Sequence, residues 1–308
     1  MKVLLTGASG FIGYHVAKTL LEKGHHVAAL VMPDDPMPRL QNLLTSLEIV
    51  QSSLGETAVL KEFINSYRPE ACIHLAWYAE PGKYLDAEQN LQSLSESLSL
   101  FNILIAAECR QIAAAGTCFE YDTTFGYLRE DSPTNPASLY AASKLSCWLM
   151  GHQLAVKVAI RLAWGRIFYP YGPLEDERRL VPAAIKALKQ GLSFQASTGE
   201  QIRDYIHVAD VASAFCTLIE KEANGIFNIS TGTPVSVGTV LKTIERGMNR
   251  PGLIHLGALP ARPWEPPFIC GDSTKLRQLG WNPRYSLDEG LQDTIDQTHL
   301  TNGENRLS

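Results

Sequence analysis

The chain has 308 residues, 45% of them hydrophobic, which is enough for one large α/β unit or two lobes around a sizeable core. A formal net charge of −5 and an isoelectric point near 5.9 give no electrostatic reason to expect nucleic acid or an anionic membrane surface as partner. The N-terminal apolar run is too short for a signal-peptide core and no run of membrane-spanning length follows, so a cytoplasmic protein is expected.

Val3-Leu4-Leu5-Thr6 reads as a strand, Gly7-Ala8-Ser9-Gly10-Phe11-Ile12-Gly13 as a glycine turn, and Tyr14 to Glu22 as a helix with Val16, Ala17, Leu20 and Leu21 on its apolar face. Glycine there lets the chain turn sharply out of the strand, lets backbone N–H groups approach a pyrophosphate, and lets helix and strand pack closely. The spacing is G-x-x-G-x-x-G, a candidate dinucleotide site formed by Gly7, Ser9, Gly10, Phe11, Ile12 and Gly13. A second strand runs from His25 to Val31, after a helix end marked by Gly24. It closes on Val31-Met32-Pro33-Asp34-Asp35 rather than on an acidic residue. Asp34 or Asp35 for a ribose, or Arg39 for a 2′-phosphate, leaves the choice between NAD and NADP open.

Strands at Leu47–Val50, Ala71–Ala76 and Ile112–Ala115 follow, with helices at Val59–Ser66 and about Asp86 to Cys109 between them. This alternation predicts an α/β fold with a doubly wound parallel sheet, the Rossmann arrangement, and ligands at the carboxyl ends of its strands. Those ends add Ser53, Leu54, Leu75, Ala76 and Trp77 to the cofactor site and Thr117 to the reacting centre. A helix is expected from about Ser138 to Leu154. Tyr140 and Lys144 then lie one turn apart on one face, where a cation would lower the phenol's pKa. The six cysteines are scattered, form no C-x-x-C pair and mostly sit in apolar runs, which predicts buried free thiols and no zinc site. His74, inside an apolar strand, reads as a satisfied core histidine; no metal spacing is evident. Trp77, Tyr78 and Tyr84 fit either a ligand pocket or ordinary packing.

Taken together, the glycine turn, Thr117 and Tyr140-Ala141-Ala142-Ser143-Lys144 resemble the extended short-chain dehydrogenase/reductase family, in its nucleotide-sugar epimerase, dehydratase and ketoreductase branch. The second half carries the resemblance independently. Arg203-Asp204-Tyr205-Ile206-His207-Val208-Ala209-Asp210 is similar to that branch's R-D-Y-I-H-V-x-D motif, Arg166 to Pro173 to the segment after its sixth strand, and Asp272 to Trp281 to its C-terminal signature. The resemblance implies an NAD(P)-binding Rossmann domain, 1–166 plus about 204–232. It also implies a smaller C-terminal α+β lobe, 167–203 and 233–300, that covers a nucleoside-diphosphate sugar; the polar tail 301–308 is expected to fray.

By the same resemblance, Tyr140 exchanges a proton with a sugar oxygen, Thr117 hydrogen-bonds that oxygen, and Lys144 holds the nicotinamide ribose and polarises Tyr140. Arg203 and Arg262 reach the diphosphate or nucleoside, for which a guanidinium fork is well shaped. Relatives that dehydrate carry an Asp-Glu pair after the threonine; here Cys118-Phe119 follows, which disfavours dehydration. Glu120 is read either as a substrate contact or as a cap of its own loop. Gly116 to Tyr121 looks most like nucleotide-linked 4-keto-6-deoxysugar reductases, enzymes of deoxysugar biosynthesis, with a 4-epimerase as the alternative. A third alternative, a dinucleotide-binding regulator without turnover, fits poorly with the presence of Thr117, Tyr140 and Lys144 together. The long helices near 86–109 and 138–154, with Leu91, Leu94, Leu98 and Phe101, suit the homodimer contact seen in many relatives.

Overall fold

The computed structural model describes residues 1–260 and 265–303. Its centre is a seven-stranded parallel sheet. Five strands come from the first half of the chain: β1 (Lys2–Thr6), β2 (His26–Val31), β3 (Glu48–Gln51), β4 (Ala71–His74) and β5 (Gln111–Thr117). Strands Arg161–Ile167 and Gly225–Ile229 complete it, in the order β3, β2, β1, β4, β5, Arg161–Ile167, Gly225–Ile229. Every pairing in the sheet is parallel. The strand order reverses at β1, so the crevice for a ligand opens between the carboxyl ends of β1 and β4.

Parallel strands covered by helices on both faces read as continuous apolar runs, and β1 shows why. Val3 and Leu5 point into one core with α1 (Phe11–Glu22) and α6 (Val208–Glu220). Leu4, between them, points into the opposite core with α2 (Thr57–Tyr67), α3 (Gln89–Ala106) and α4 (Leu139–Lys157). A third core, apart from the sheet, gathers Val181, Ile185 and Leu188 of α5 (Leu180–Lys189) with Val240, Leu241 and Ile244 of α7 (Val237–Gly247). Leu291 and Ile295 of the final helix, Leu287–Gly303, close it. Short strand pairs flank this core; Ile202–Arg203 pairs antiparallel with Val235–Ser236, and Tyr169–Tyr171 pairs parallel with Tyr205–His207.

Element bounds differ from expectation where side chains override pattern. The third helix starts at Gln89 because Asn90 is fully buried and donates to the carbonyls of Tyr84 and Ala87, which fixes the incoming loop. The fifth strand extends to Thr117, since its pairing with Arg161–Ile167 continues to Thr117 opposite Ile167. All six cysteines are buried and free. Among the described residues no helix is long and apolar enough to cross a membrane. The expected frayed tail falls partly within the final helix, to Gly303; 304–308 lie outside the described residues.

Candidate active site

The glycine turn joins β1 to α1 at the crevice. Gly7 has φ +72°, and a Cβ there would stand 2.8 Å from the amide nitrogen of Ala76, so the turn lies directly against the end of β4. A Cβ on Gly13 would stand 1.9 Å from the Gly7 carbonyl oxygen, closer than any side chain tolerates. Gly10 is the N-cap of α1 and makes no side-chain cap, so the helix's first-turn amides carry no capping side chain and face the crevice with the positive end of the helix dipole. Backbone alone fills this turn, which is the cradle a pyrophosphate needs.

The segment after β2 borders the same turn. The Ser9 hydroxyl donates to Asp35 at 2.5 Å, and Arg39 spans from the Ser9 carbonyl (3.3 Å) to the Leu174 carbonyl (3.1 Å). Of the three charged candidates, Asp35 and Arg39 both lie at the turn, whereas Asp34 is exposed. Ser53 and Leu54 follow β3. The Ser53 amide donates to Glu56 at 2.9 Å, and Leu54 packs in the core shared with Ala76 and Trp77.

Beyond β4, the Leu75 and Ala76 amides donate to the carbonyl and hydroxyl oxygens of Thr6, at 3.3 and 3.2 Å. His74 locks this junction: its Nδ1 lies 2.8 Å from the Thr6 hydroxyl and its Nε2 2.8 Å from that of Ser97. Burial holds the ring neutral and pulls its pKa down to about 3. The unfolded chain takes up a proton near pH 6.5 that the folded chain refuses, so stability is full above 6.5 and falls as pH drops towards 3. A shift of that size is worth roughly 5 kcal/mol in full, of which about 3 kcal/mol is lost by pH 4.5. Urea unfolding at pH 7.5 and 4.5 should show this loss in the wild type and a shallower one in His74→Gln; an equal slope in both would remove His74 from the account.

The candidate reacting groups meet at the end of β5. Ser138 caps α4, its hydroxyl accepting from the Ala141 amide at 3.2 Å, and the Tyr140 amide donates to the Leu85 carbonyl at 2.8 Å. Tyr140 thereby sits in the first turn of α4, with the Thr117 side chain beside its hydroxyl. Tyr84 packs edge-on against its ring at 4.9 Å and Trp77 at 6.5 Å. Lys144, one turn on, donates to the Ala115 carbonyl at 2.8 Å and lies 3.8 Å from the centre of the Trp77 ring. Burial lowers its pKa to about 8.

The expected lowering of the Tyr140 pKa by Lys144 is not what the structure shows. Burial in the aromatic cage pushes the phenol up, with Tyr84 and Glu120 adding to the rise and the Thr117 hydrogen bond opposing it. The spacing of Tyr140 and Lys144 puts them on one face, but the ammonium turns to the strand carbonyl and the Trp77 ring.

Glu120 is fully buried and engaged by Arg166, Trp164 and the Thr117 amide. Its oxygens are thus held within the protein, which fits the loop-capping reading and leaves no free oxygen for a substrate. Arg203 is 2% exposed and stacks 5.3 Å from the Tyr169 ring centre. One of its terminal nitrogens, Nη2, pairs loosely with Glu265 at 3.6 Å and makes no hydrogen bond. Arg262 lies outside the described residues.

Several neighbours of the site carried no sequence signal. Arg179 lies 5.2 Å over the Tyr84 ring, and Arg178 reaches Glu80 at 3.6 Å, so the segment after Pro173 meets the loop after β4. Glu175 keeps a buried oxygen without a partner, and burial raises its carboxyl to about 8. The R-D-Y-I-H-V-x-D aspartates serve the scaffold. Asp204 accepts from the amides of Thr231, Gly232 and Gly271 and from the Thr231 hydroxyl, while Asp210 accepts from the amides of Arg284 and Tyr285. Among the described residues no cluster of three or more metal-ligating side chains occurs.

A parallel sheet with a glycine cradle at its switch point, and a Thr–Tyr–Lys cluster across the crevice, defines a Rossmann-type dinucleotide enzyme of the extended short-chain class. The sequence model of the NAD dependent epimerase/dehydratase family matches residues 3–230, and the chain belongs to that family of nucleotide-sugar enzymes. It is 27% identical to a UDP-glucose 4-epimerase of Azospirillum brasilense, over 94% of this chain and 89% of that one. It is 28% identical to a CDP-abequose synthase of Salmonella typhimurium, over 95% and 97%. The structure of a Thermotoga maritima UDP-glucose 4-epimerase with UDP-glucose superposes with a TM-score of 0.88 at 25% identity, covering 98% of this chain and 99% of that one.

Proposed function

We propose that the protein is an NAD(P)-dependent reductase of a nucleoside-diphosphate 4-keto-6-deoxyhexose. The glycine turn, with Ser9, Gly10, Phe11, Ile12 and Gly13, would hold the pyrophosphate, and Leu75, Ala76 and Trp77 would line the path towards the nicotinamide. The bound nicotinamide cofactor supplies the hydride. Tyr140 gives its proton to the sugar oxygen, Thr117 fixes that oxygen by a second hydrogen bond, and Lys144 holds the nicotinamide ribose. The Nη2 of Arg203, which makes no hydrogen bond and only a loose ion pair with Glu265, is a buried donor suited to a diphosphate oxygen.

The observation that carries this reading is the placement of Thr117 beside the Tyr140 hydroxyl, next to a position that holds no further acid or base. Cys118 is buried and its thiol is pushed up to about 12, and Phe119 is apolar, so the groups a dehydratase places there are absent. Without them Tyr140 and Thr117 are equipped for proton transfer at one oxygen.

A 4-epimerase is the second reading, favoured by the near full-length similarity to UDP-glucose 4-epimerases. Purified protein incubated with NADH or NADPH and a panel of nucleotide 4-keto-6-deoxysugars should lose nicotinamide absorbance in step with sugar reduction. Interconversion of nucleotide hexoses with no net loss of absorbance would replace the reductase by the epimerase, and the preferred coenzyme reads the Asp35/Arg39 pair. A homodimer through α3 and α4 belongs to the same proposal; of the residues expected at that face Leu91 is exposed, beside Leu149 and Met150, whereas Phe101 is buried in the sheet core and Leu94 and Leu98 pack against that core.

A further inference from the structure

Behind Thr117 the chain buries an ion pair. Glu120 and Arg166 are 0% and 1% exposed, and the Arg166 Nε donates to a Glu120 oxygen at 2.7 Å. The Trp164 indole donates to both oxygens, at 3.0 and 3.1 Å, and the Thr117 amide to one of them at 2.8 Å. In return the Thr117 hydroxyl oxygen accepts from the Phe119 amide at 3.3 Å, closing a capping box around the single turn Cys118–Glu120. The guanidinium lies 4.1 Å from the centre of the Tyr121 ring, whose hydroxyl donates to Asn228 at 2.7 Å. Even the strand makes room: a Cβ on Gly116 would stand 2.2 Å from the Trp164 indole nitrogen and 2.6 Å from a Glu120 oxygen.

Burying two charges costs solvation that an apolar pair of the same volume would avoid. What the charges deliver here is a fixed acceptor for the amide of the residue whose hydroxyl meets Tyr140. Glu120 and Cys118 face Tyr140 from this turn and Tyr84 from the loop after β4, while the Lys144 ammonium, on the same helix as Tyr140, turns to the Ala115 carbonyl and the Trp77 ring. Arg179 stands beyond Tyr84 and Arg203 beyond Cys118.

We propose that Glu120 and Arg166 form the positioning device of the proton-transfer site: Glu120 holds the Thr117 backbone so that its hydroxyl points at Tyr140, and Arg166 cancels the carboxylate charge facing Tyr140 and Lys144. The inference rests on the reading of Thr117 and Tyr140 as the groups that handle the sugar oxygen. Glu120 touches neither cofactor nor substrate and acts through Thr117.

Two neutral double variants separate positioning from stability. Glu120→Gln with Arg166→Met keeps an acceptor for the Thr117 amide, whereas Glu120→Leu with Arg166→Met does not, and both remove the buried charges. The first should keep kcat within about fivefold of wild type, and the second should fall about a further 30-fold in kcat with KM little changed. Adding Thr117→Ala should lower kcat in the glutamine background but change it little in the leucine background, because the two losses act on one element. Equal kcat in the two double variants, or fully additive losses, would overturn the proposal. Amide hydrogen exchange of the peptide around Thr117 needs no substrate, and faster exchange is expected in the leucine variant alone. If the wild type reduces no nucleotide sugar, the reaction assigned above fails, and the exchange comparison still decides whether Glu120 holds Thr117; equal exchange in both variants rejects it.

Discussion

Tyr140→Phe should lower kcat by about 10³-fold while leaving coenzyme affinity within about twofold of wild type. Phenylalanine preserves the ring that packs against Tyr84 at 4.9 Å and Trp77 at 6.5 Å, so the cage and the start of α4 stay in place. What is lost is the hydroxyl beside Thr117, and with it the proton for the sugar oxygen. The fall belongs in kcat rather than KM because the proton moves only in the transition state. Coenzyme titration by protein fluorescence, beside steady-state rates, distinguishes this from a collapsed pocket. Wild-type turnover in this variant would leave Tyr140 without a chemical role and would reopen the reading of the chain as a dinucleotide-binding regulator.

Gly13→Ala should abolish coenzyme binding and destabilise the fold. The added methyl carbon would stand 1.9 Å from the Gly7 carbonyl oxygen, 2.7 Å from the Gly7 carbonyl carbon and 2.8 Å from the Ala8 Cα. All three atoms are backbone, so no side chain can swing aside and the turn itself must open. Overpacking of this kind costs about 1–3 kcal/mol, and the amides of the cradle lose their common direction. We expect coenzyme affinity to drop at least about 100-fold. Gly24 supplies the control. Unlike Gly13 it has positive φ, +77°, but a Cβ there meets nothing within 4 Å. Gly24→Ala should therefore cost only about 1–2 kcal/mol of backbone strain and leave coenzyme affinity intact. Isothermal titration and thermal unfolding of the two variants check both halves; equal coenzyme affinity in Gly13→Ala and wild type would contradict the cradle.

The parts of this protein that could be read from its sequence are those where one residue type has one physical use. The glycines of the first turn are required by φ and by close backbone approach, so their spacing announced both the turn and its ligand class. The sheet was legible because β1 to β5 are short apolar runs separated by amphipathic helices, although the last two strands, Arg161–Ile167 and Gly225–Ile229, carry no such rhythm. His74 was readable as a core residue because a lone histidine in an apolar strand needs only satisfied nitrogens, and Thr6 and Ser97 provide them.

Residues whose partners are distant in sequence were not readable. Glu120 left two readings open because one turn after a strand can point a carboxylate either way; its direction is set by Trp164 and Arg166, more than 40 residues on. Asp204 stood in a family motif that gave it no stated use, and its acceptors are spent on amides 27 to 67 residues away. The spacing of Tyr140 and Lys144 correctly placed both on α4, but it could not show that burial would outweigh the cation at the phenol. Nor could it show that Lys144 would turn to Ala115 and Trp77. Arg166 appeared in a recognised segment, and its use as the counter-charge of Glu120 became evident only in three dimensions.

The central claim is that this site moves hydride and a Tyr140 proton onto one carbon–oxygen bond of a nucleotide sugar. Purified protein should be incubated with nicotinamide coenzyme deuterated on either face of C4, together with nucleotide 4-keto-6-deoxysugars, and the sugar examined by mass and NMR spectroscopy. The account predicts a product one mass unit heavier with deuterium at sugar C4, from one coenzyme face only, and almost none from the Tyr140→Phe protein. Bound coenzyme and bound sugar with no deuterium transferred from either face would contradict it.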